Sequence, residues 1–291
     1  IEKYSHLDFV KTPGRAFTGS IFQRLVFLGS LVSGFFTSRR MLREQAPDIV
    51  LLFGGFLSLG LGLAARSKSI PVALHEANCH PGKAVRMIKY LSTRIYLPDG
   101  VRLGGVPPES IRYFDYPVRK DIKHSPKADA CERLGLSVPN KLLVVIGGSQ
   151  GASALNEWVK QNFVLLAKAG ISVYCVTGLG NSAASTMHEE GKGGVDITAT
   201  LVPFSSSMGD VISAAVLIVS RAGPGSIVQI IRCRAPPILV PYPYAADDHH
   251  LANALSHAQH RAGLSPAPPK LNQLISLTLD CRSNDYAPDK R

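Results

Sequence analysis

The strongest signal for a strand followed by a turn and a helix in this chain is Val144-Val145-Ile146-Gly147-Gly148-Ser149-Gln150-Gly151-Ala152-Ser153-Ala154-Leu155-Asn156. Glycine permits a tight turn and a close approach of the backbone to a ligand, while free N–H groups and the helix dipole favour negative charge. We therefore expect a phosphorylated ligand at this turn. Because it matches neither the Walker loop nor the dinucleotide fingerprint, the alternative of a purely structural corner stays open.

Short β-branched runs alternate with helical segments on both sides of this stretch. The upstream runs are 49–53, 71–74 and 94–97, and the downstream runs are 142–146, 172–176, 198–202, 216–220 and 237–241. This alternation is typical of parallel sheets, so we predict an α/β chain with two doubly wound domains, 1–119 and 120–291. The first is expected to be incomplete at its N-terminus, because doubly wound sheets carry about five or six strands. The polar tail 281–291 is expected to be poorly ordered.

The composition indicates an anionic partner. The 291 residues are 45% hydrophobic and carry a formal charge of +11, which fits nucleic acid, a phosphorylated ligand or a membrane surface. We expect no nucleic-acid partner, since no basic stripe with interleaved aromatic residues is present. The 5 cysteines lie far apart, which favours a reducing compartment over a zinc or redox motif.

Two apolar stretches raise the question of a membrane. Residues 49–65 are uncharged but contain four glycines, so we predict a buried strand, a turn and a helix instead of a span. Residues 25–38 are shorter and flanked by arginines, which indicates an interfacial helix; a helix packed in the core is the alternative. The chain begins with Ile1 and shows no signal segment, so we expect its true start to be missing.

A second glycine turn, Ser220-Arg221-Ala222-Gly223-Pro224-Gly225-Ser226, follows another apolar strand. Ligands in open parallel sheets bind outside the carboxyl ends of the strands, so both glycine turns are expected at one edge. The run 241–250 falls at the same edge, and its carboxylates and imidazoles could bind sugar hydroxyls. Four histidines crowd together in and after this run, which raises the possibility of a metal site: His249, His250, His257 and His260. We predict no metal there, because zinc usually requires a closed tetrahedral set of ligands with a recognisable spacing.

The first domain also carries polar groups at the end of a strand, in His75-Glu76-Ala77-Asn78. His75 and Glu76 could act as an acid/base pair or as structural groups. Farther along, Arg119 could reach a phosphate or remain a solvated charge.

These motifs, in this order, resemble the MurG family of glycosyltransferases over most of the chain. The most specific matches are 147–152 with 155–156, 220–223, and 240–249 with 253–254. The resemblance implies a GT-B fold, in which two Rossmann-like domains face a cleft. It also implies inverting, metal-independent transfer of N-acetylglucosamine from UDP-N-acetylglucosamine to undecaprenyl-diphosphate-linked N-acetylmuramoyl-pentapeptide, without a cofactor. The resemblance further implies that this step of peptidoglycan synthesis, tied to cell shape and division, takes place at the cytoplasmic face of the inner membrane, on a peripheral protein.

The resemblance also implies a set of substrate-binding positions: Asn78, Arg119, Ser149, Ser205, Pro224, Gly225, Ser226, Ile227, Val228, Gln229 and His250. Ser149 would hold the diphosphate, and 224–229 would hold uracil and ribose. The region 15–43 would contact an anionic membrane surface. Its candidate apolar contacts are Phe22, Leu25, Val26, Leu28, Phe35 and Phe36.

The chain departs from the family at several positions. The family's Gly-Gly-His loop, with its candidate general base, would precede Ile1, which leaves the catalytic base unassigned and His75 and Glu76 as weaker substitutes. Gln229 stands where the family has glutamate, His250 where it has glutamine, and Asp115-Tyr116 where it has Gly-Asn. The alternatives are therefore a truncated or degenerate, non-catalytic homologue, or another GT-B enzyme that acts on UDP-sugars.

Overall fold

The computed structural model describes residues 7–11, 21–114, 116–139, 141–148, 151–180, 183–240, 253 and 273–280. The chain divides into two compact units, Ile1–Asp115 and Tyr116–Arg291. Each unit has its own largely parallel sheet, so the predicted α/β class with two sheets is confirmed. The predicted functional division between 1–119 and 120–291 stays a prediction.

Unit 1 contains a four-stranded parallel sheet in the order β1-β2-β3-β4. Three of these strands match predicted runs, and the short strand β4 was not predicted. Its elements in chain order are α1 (Ile21–Gln45), β1 (Val50–Leu52), α2 (Leu57–Ser67), β2 (Val72–His75), α3 (Lys83–Ile88), a 3-10 turn (Lys89–Leu91), β3 (Arg94–Leu97), a second 3-10 turn (Pro108–Ser110) and β4 (Ile111–Tyr113).

The glycine-rich apolar stretch of unit 1 is a strand, a turn and a helix, as predicted. Between β1 and α2 the backbone turns through Gly54 and Gly55, whose φ values of +76° and +79° favour glycine. Within the described part of the chain, no helix is both long enough and apolar enough to cross a membrane.

Helix α1 packs against α2 through one face and leaves another exposed. A β-carbon on Gly60 of α2 would lie 3.2 Å from the main chain of both Gly34 and Phe35, so the two helices are in close contact there. The outer face keeps four apolar side chains between 53% and 64% exposed, namely Leu25, Leu28, Val32 and Phe36. The core alternative thus holds for one face of α1, and the interfacial helix stays a prediction for the exposed face.

Two of the predicted membrane contacts on α1 need correction. Phe35 packs against the core of unit 1 and Val26 is half-buried, because both lie toward the face that meets the rest of the unit. The side chain of Phe22 lies outside the described residues.

Unit 2 contains a six-stranded sheet in the order β10-β9-β5-β6-β8-β7, in which β7 alone runs antiparallel. Core clusters cover both faces of this sheet, which explains why all five residues of β5 are buried. The elements are α4 (Lys127–Arg133), β5 (Leu142–Ile146), α5 (Ser153–Lys168), β6 (Ser172–Val176), β7 (Ser185–Glu190), β8 (Asp196–Val202), α6 (Met208–Ser213), β9 (Leu217–Arg221), α7 (Pro224–Arg232), β10 (Pro237–Val240) and a last described helix, Leu274–Asp280.

Candidate functional site

The two glycine turns of unit 2 lie side by side. Strands β5 and β9 are neighbours in the sheet and run parallel, with Ile146 paired to Ser220. The turns that follow them therefore leave the sheet at the same carboxyl edge, as the sequence predicted. This edge is where ligands bind in open parallel sheets.

The first turn has the backbone geometry of an anion site. A β-carbon on Gly147 would collide with the amide nitrogen of Ala152, so the turn can fold back onto the start of α5 only with glycine there. Gly148 has a φ of +86° and open space beside its α-carbon, which leaves its main chain accessible to a ligand. The next two residues, Ser149 and Gln150, lie outside the described residues.

Helix α5 begins directly after this turn. The carbonyl of Ala152 accepts hydrogen bonds from the amides of Leu155 and Asn156, at 2.8 and 3.0 Å. The first amides of an α-helix have no acceptor within the helix, and the helix dipole adds partial positive charge beside them. The start of this 16-residue helix therefore favours a diphosphate near the glycine turn.

Asn156 holds α5 in place. Its side-chain amide donates to the carbonyl of Thr177 at 3.0 Å, and its oxygen accepts from the Cys175 thiol at 3.7 Å. Burial raises the pKa of Cys175 to about 12. The Cys175 thiol is therefore neutral at physiological pH, and these contacts join α5 to the end of β6.

The second turn leads into α7 through Gly223 and Pro224. Asn253 donates from its side-chain amide to the carbonyl of Ala222 at 3.2 Å and so fixes this turn. Five of the six positions predicted to bind the nucleoside are half-buried, and they are Pro224, Gly225, Ser226, Val228 and Gln229. Ile227 packs with Ala222 and Leu239, and its amide donates to the carbonyl of Gly223 at 3.0 Å, so neither its side chain nor its N–H group is available to a ligand.

Ser205 follows β8 near the same edge and is buried. Its hydroxyl oxygen accepts from the amide of Ser207 at 3.2 Å, and its side chain is hydrogen-bonded to Tyr174. Burial raises the pKa of Tyr174, and this hydrogen bond offsets part of the shift. The Ser205 side chain is thus hydrogen-bonded within unit 2, and its main chain lies in the loop that follows β8.

Arg119 belongs to unit 2. One of its guanidinium nitrogens lies 3.2 Å from a carboxylate oxygen of Asp121, and both side chains are more than a third exposed. Such an exposed pair contributes little to stability, so an anionic ligand could replace Asp121 as the partner. The segment that follows is fixed to α7, since Nε of Arg232 donates to the carbonyl of Ile122 at 2.7 Å.

Glu76, a predicted acid/base candidate in unit 1, organises the loop that follows β2. Its buried carboxylate accepts hydrogen bonds from the main-chain and side-chain amides of Asn78, both at 2.8 Å. Its second oxygen lies 3.4 Å from the amide nitrogen of Gly82, just before α3. These contacts favour the structural interpretation of Glu76 and orient Asn78, a predicted donor-binding residue.

His75 ends β2 and is buried beside Phe53, with the two ring centroids 5.6 Å apart. Burial lowers the pKa of His75, and the nearby Glu76 offsets only part of this shift. The imidazole is therefore neutral near pH 7, the form that can accept a proton.

The predicted site residues are distributed over both units. Asn78, His75 and Glu76 lie in unit 1, whereas Arg119, Ser205 and the 224–229 segment lie in unit 2. His250 is outside the described residues, as are the other three crowded histidines, His249, His257 and His260. Within the described ranges, no group of three or more His, Cys, Asp or Glu side chains could hold a metal ion.

Tyr116 lies against the segment predicted to bind the nucleoside and was not among the predicted site residues. A β-carbon on Gly225 would lie 3.3 Å from the Tyr116 hydroxyl oxygen. The signal available in the sequence was the unusual Asp115-Tyr116 pair before Pro117.

Comparison with known proteins gives consistent matches across both units. Residues 142–290 match the glycosyltransferase family 28 C-terminal domain, and residues 1–97 match the N-terminal domain of the same family. A UDP-N-acetylglucosamine–N-acetylmuramyl-(pentapeptide) pyrophosphoryl-undecaprenol N-acetylglucosamine transferase from Opitutus terrae is 41% identical over 280 residues, which cover 96% of this chain and 74% of that protein. The protein of the same name from Crocosphaera subtropica is 32% identical over 81% of this chain and 65% of its own length.

Among solved structures, the crystal structure of MurG from Acinetobacter baumannii superposes with a TM-score of 0.59 at 22% identity. The match covers 95% of this chain and 78% of that one, and it shows a shared fold. The chain thus spans about two thirds to three quarters of the length of these relatives.

Proposed function

The chain belongs to the family of UDP-N-acetylglucosamine–N-acetylmuramyl-(pentapeptide) pyrophosphoryl-undecaprenol N-acetylglucosamine transferases, and we propose that it carries out the reaction in that name. It would transfer N-acetylglucosamine from UDP-N-acetylglucosamine to the lipid-linked N-acetylmuramoyl-pentapeptide, a step of peptidoglycan synthesis. Membership confirms the predicted hexosyltransferase class and the predicted GT-B fold.

One observation carries the assignment of the donor site to unit 2. Two glycine turns leave neighbouring parallel strands at one carboxyl edge, and each opens a helix. In this proposal, the turn at 147–149 and the start of α5 bind the diphosphate. The 224–229 segment binds uracil and ribose, and His250 contacts the sugar.

The proposed reaction is a single displacement. A hydroxyl of the acceptor sugar attacks the anomeric carbon, the bond from that carbon to the diphosphate breaks, and UDP leaves with inversion. The amides at the start of α5 and the Arg119 guanidinium stabilise the charge that develops on the leaving diphosphate. Of the two weak base candidates, His75 is neutral near pH 7 and can take the proton, whereas the oxygens of Glu76 accept hydrogen bonds from the loop that follows β2.

A nucleotide titration tests this site. We expect the purified chain to bind UDP, and Arg119→Ala to weaken UDP binding about tenfold through loss of a charged phosphate contact. Uridine, which has no phosphate, should bind wild type and Arg119→Ala equally. Arg112→Ala is the matched control, because the exposed Arg112 donates to nearby main-chain carbonyls in unit 1.

Absence of UDP binding by the wild-type chain would reject the donor site. If the chain binds UDP but forms no UDP from UDP-N-acetylglucosamine and the lipid-linked acceptor, the result would instead favour the non-catalytic homologue. Calorimetry measures the binding of UDP, and an assay for UDP formation measures the transfer reaction.

The same proposal places the outer face of α1 on an anionic membrane surface at the cytoplasmic side of the inner membrane. Four exposed apolar side chains recur at helical spacing, at positions 25, 28, 32 and 36. Arg39, Arg40 and Arg43 follow on the exposed side of the same helix. An apolar stripe that continues into basic residues is the pattern of a helix that lies in the headgroup region.

Vesicle co-sedimentation tests this contact. We expect the chain to bind phosphatidylglycerol vesicles more strongly than phosphatidylcholine vesicles, and the double change Leu28→Gln with Phe36→Gln to abolish most of the binding. Leu165→Gln, at an exposed leucine on α5 in unit 2, is the control. An equal loss in the control and the double variant would contradict a specific role for α1.

A further inference from the structure

Tyr116 packs against the first turn of α7. A β-carbon placed on Gly225 would lie 3.3 Å from Oη of Tyr116 and 3.6 Å from Cζ. Both residues are half-buried. The phenol end of the ring therefore rests on the α-carbon of Gly225.

This contact explains the glycine at position 225. Gly225 is not among the described glycines with a positive φ, so its backbone conformation does not demand glycine. Glycine inside a helix is less stable than alanine. An added methyl group would lie 3.3 Å from the phenol oxygen, closer than ordinary van der Waals contact, so Tyr116 would have to shift by a few tenths of an ångström.

Tyr116 and Gln229 flank the same face of α7. Gly225 and Gln229 are four residues apart in this helix, so their β-carbon positions lie about 5–6 Å from each other on one side. The Tyr116 hydroxyl lies 3.3 Å from the first of these positions, and the side chain of Gln229 starts from the second. Both groups can donate and accept hydrogen bonds.

We propose that Tyr116 binds the ribose of the nucleotide-sugar, with its hydroxyl and the Gln229 amide sharing the two vicinal ribose hydroxyls. The inference rests on the proposed function, which puts the nucleoside at 224–229. A vicinal diol offers two neighbouring groups that each donate and accept, which matches a phenol and an amide on one helix face. Tyr116 also gives the diol a second polar partner beside Gln229, which is uncharged.

The test compares UDP, 2′-deoxy-UDP and 3′-deoxy-UDP by calorimetry on the full chain and on Tyr116→Phe. Phenylalanine keeps the ring against Gly225 and removes only the hydroxyl. We expect Tyr116→Phe to weaken UDP binding about fivefold, the loss of one hydrogen bond. For the deoxy nucleotide that lacks the hydroxyl bound by Tyr116, the same substitution should lower the affinity by less than about twofold. Tyr113→Phe, at an exposed tyrosine in unit 1, is the control and should change none of the three affinities.

The outcomes separate this inference from the proposed function. If wild type binds UDP but Tyr116→Phe weakens all three nucleotides equally, or none of them, the ribose contact is wrong while the donor site stands. If wild type binds no UDP, the donor site and the ribose contact both fail. Thermal unfolding of each variant confirms that the chain is folded.

Discussion

Glu76 is the residue at which the structure favours one of the two roles that the sequence left open. Its carboxylate accepts from both amides of Asn78 at 2.8 Å, inside the loop that leads to α3. Glu76→Ala removes both contacts with Asn78, so we expect the free energy of unfolding measured in urea to fall by about 1–3 kcal/mol. Glu76→Gln should cost less, because an amide oxygen still accepts. Glu109→Ala, at an exposed glutamate, is the control, and an equal effect there would contradict the loop-anchoring role.

His75 predicts a pH dependence of stability. Burial lowers its pKa in the folded chain, so the unfolded chain binds the proton more readily. The free energy of unfolding should therefore fall as the pH drops through about 6.5, the ordinary histidine value, and level off below the folded pKa. Urea midpoints measured from pH 7.5 to 5 should show a shallower slope in His75→Gln. If that variant keeps the wild-type slope while the exposed-histidine control His188→Gln loses it, His75 is not the group responsible.

The packing of α1 on α2 depends on a glycine at position 60. Gly60→Ala puts a β-carbon 3.2 Å from the main chain of Gly34 and Phe35, which cannot move aside like a side chain. We expect the free energy of unfolding to fall by about 1–3 kcal/mol, which lowers the thermal midpoint. Gly29→Ala on α1 meets nothing within 4 Å and should stabilise the helix by up to about 1 kcal/mol. Stabilisation of both variants would show that helix propensity, not the close approach, controls the effect.

The elements that the sequence predicted are those whose burial imposes an apolar pattern. Strand β5 is buried at every position and matches the predicted run 142–146. Strand β7 was missed because it is an antiparallel edge strand whose side chains are largely exposed, so Ser185–Glu190 carries no apolar run. Strand β4 has three residues and no buried one, which leaves too short a pattern to detect.

For the whole molecule, the placement of the site followed from topology, and its detailed contacts did not. Parallel strands share a carboxyl edge, so the two glycine turns could be placed together from sequence order and the β-α alternation. The contact of Tyr116 with Gly225 joins residues more than a hundred positions apart, and nothing in either residue's local pattern indicates it. The three acceptor contacts of Glu76 were equally hidden, because acid/base and anchoring carboxylates have the same residue type.

Two units with separate cores predict that each proposed ligand protects a different part of the chain. UDP at about 100 times its Kd stabilises the unit that binds it by about 2.7 kcal/mol. In hydrogen-exchange mass spectrometry we expect UDP to slow exchange in 142–168 and 217–232 and to leave the α1–α2 peptides 21–67 unchanged. Phosphatidylglycerol vesicles should give the reverse pattern, with slower exchange in 21–45. Protection of both units to the same extent by either ligand would contradict the assignment of the donor to unit 2 and the membrane to α1.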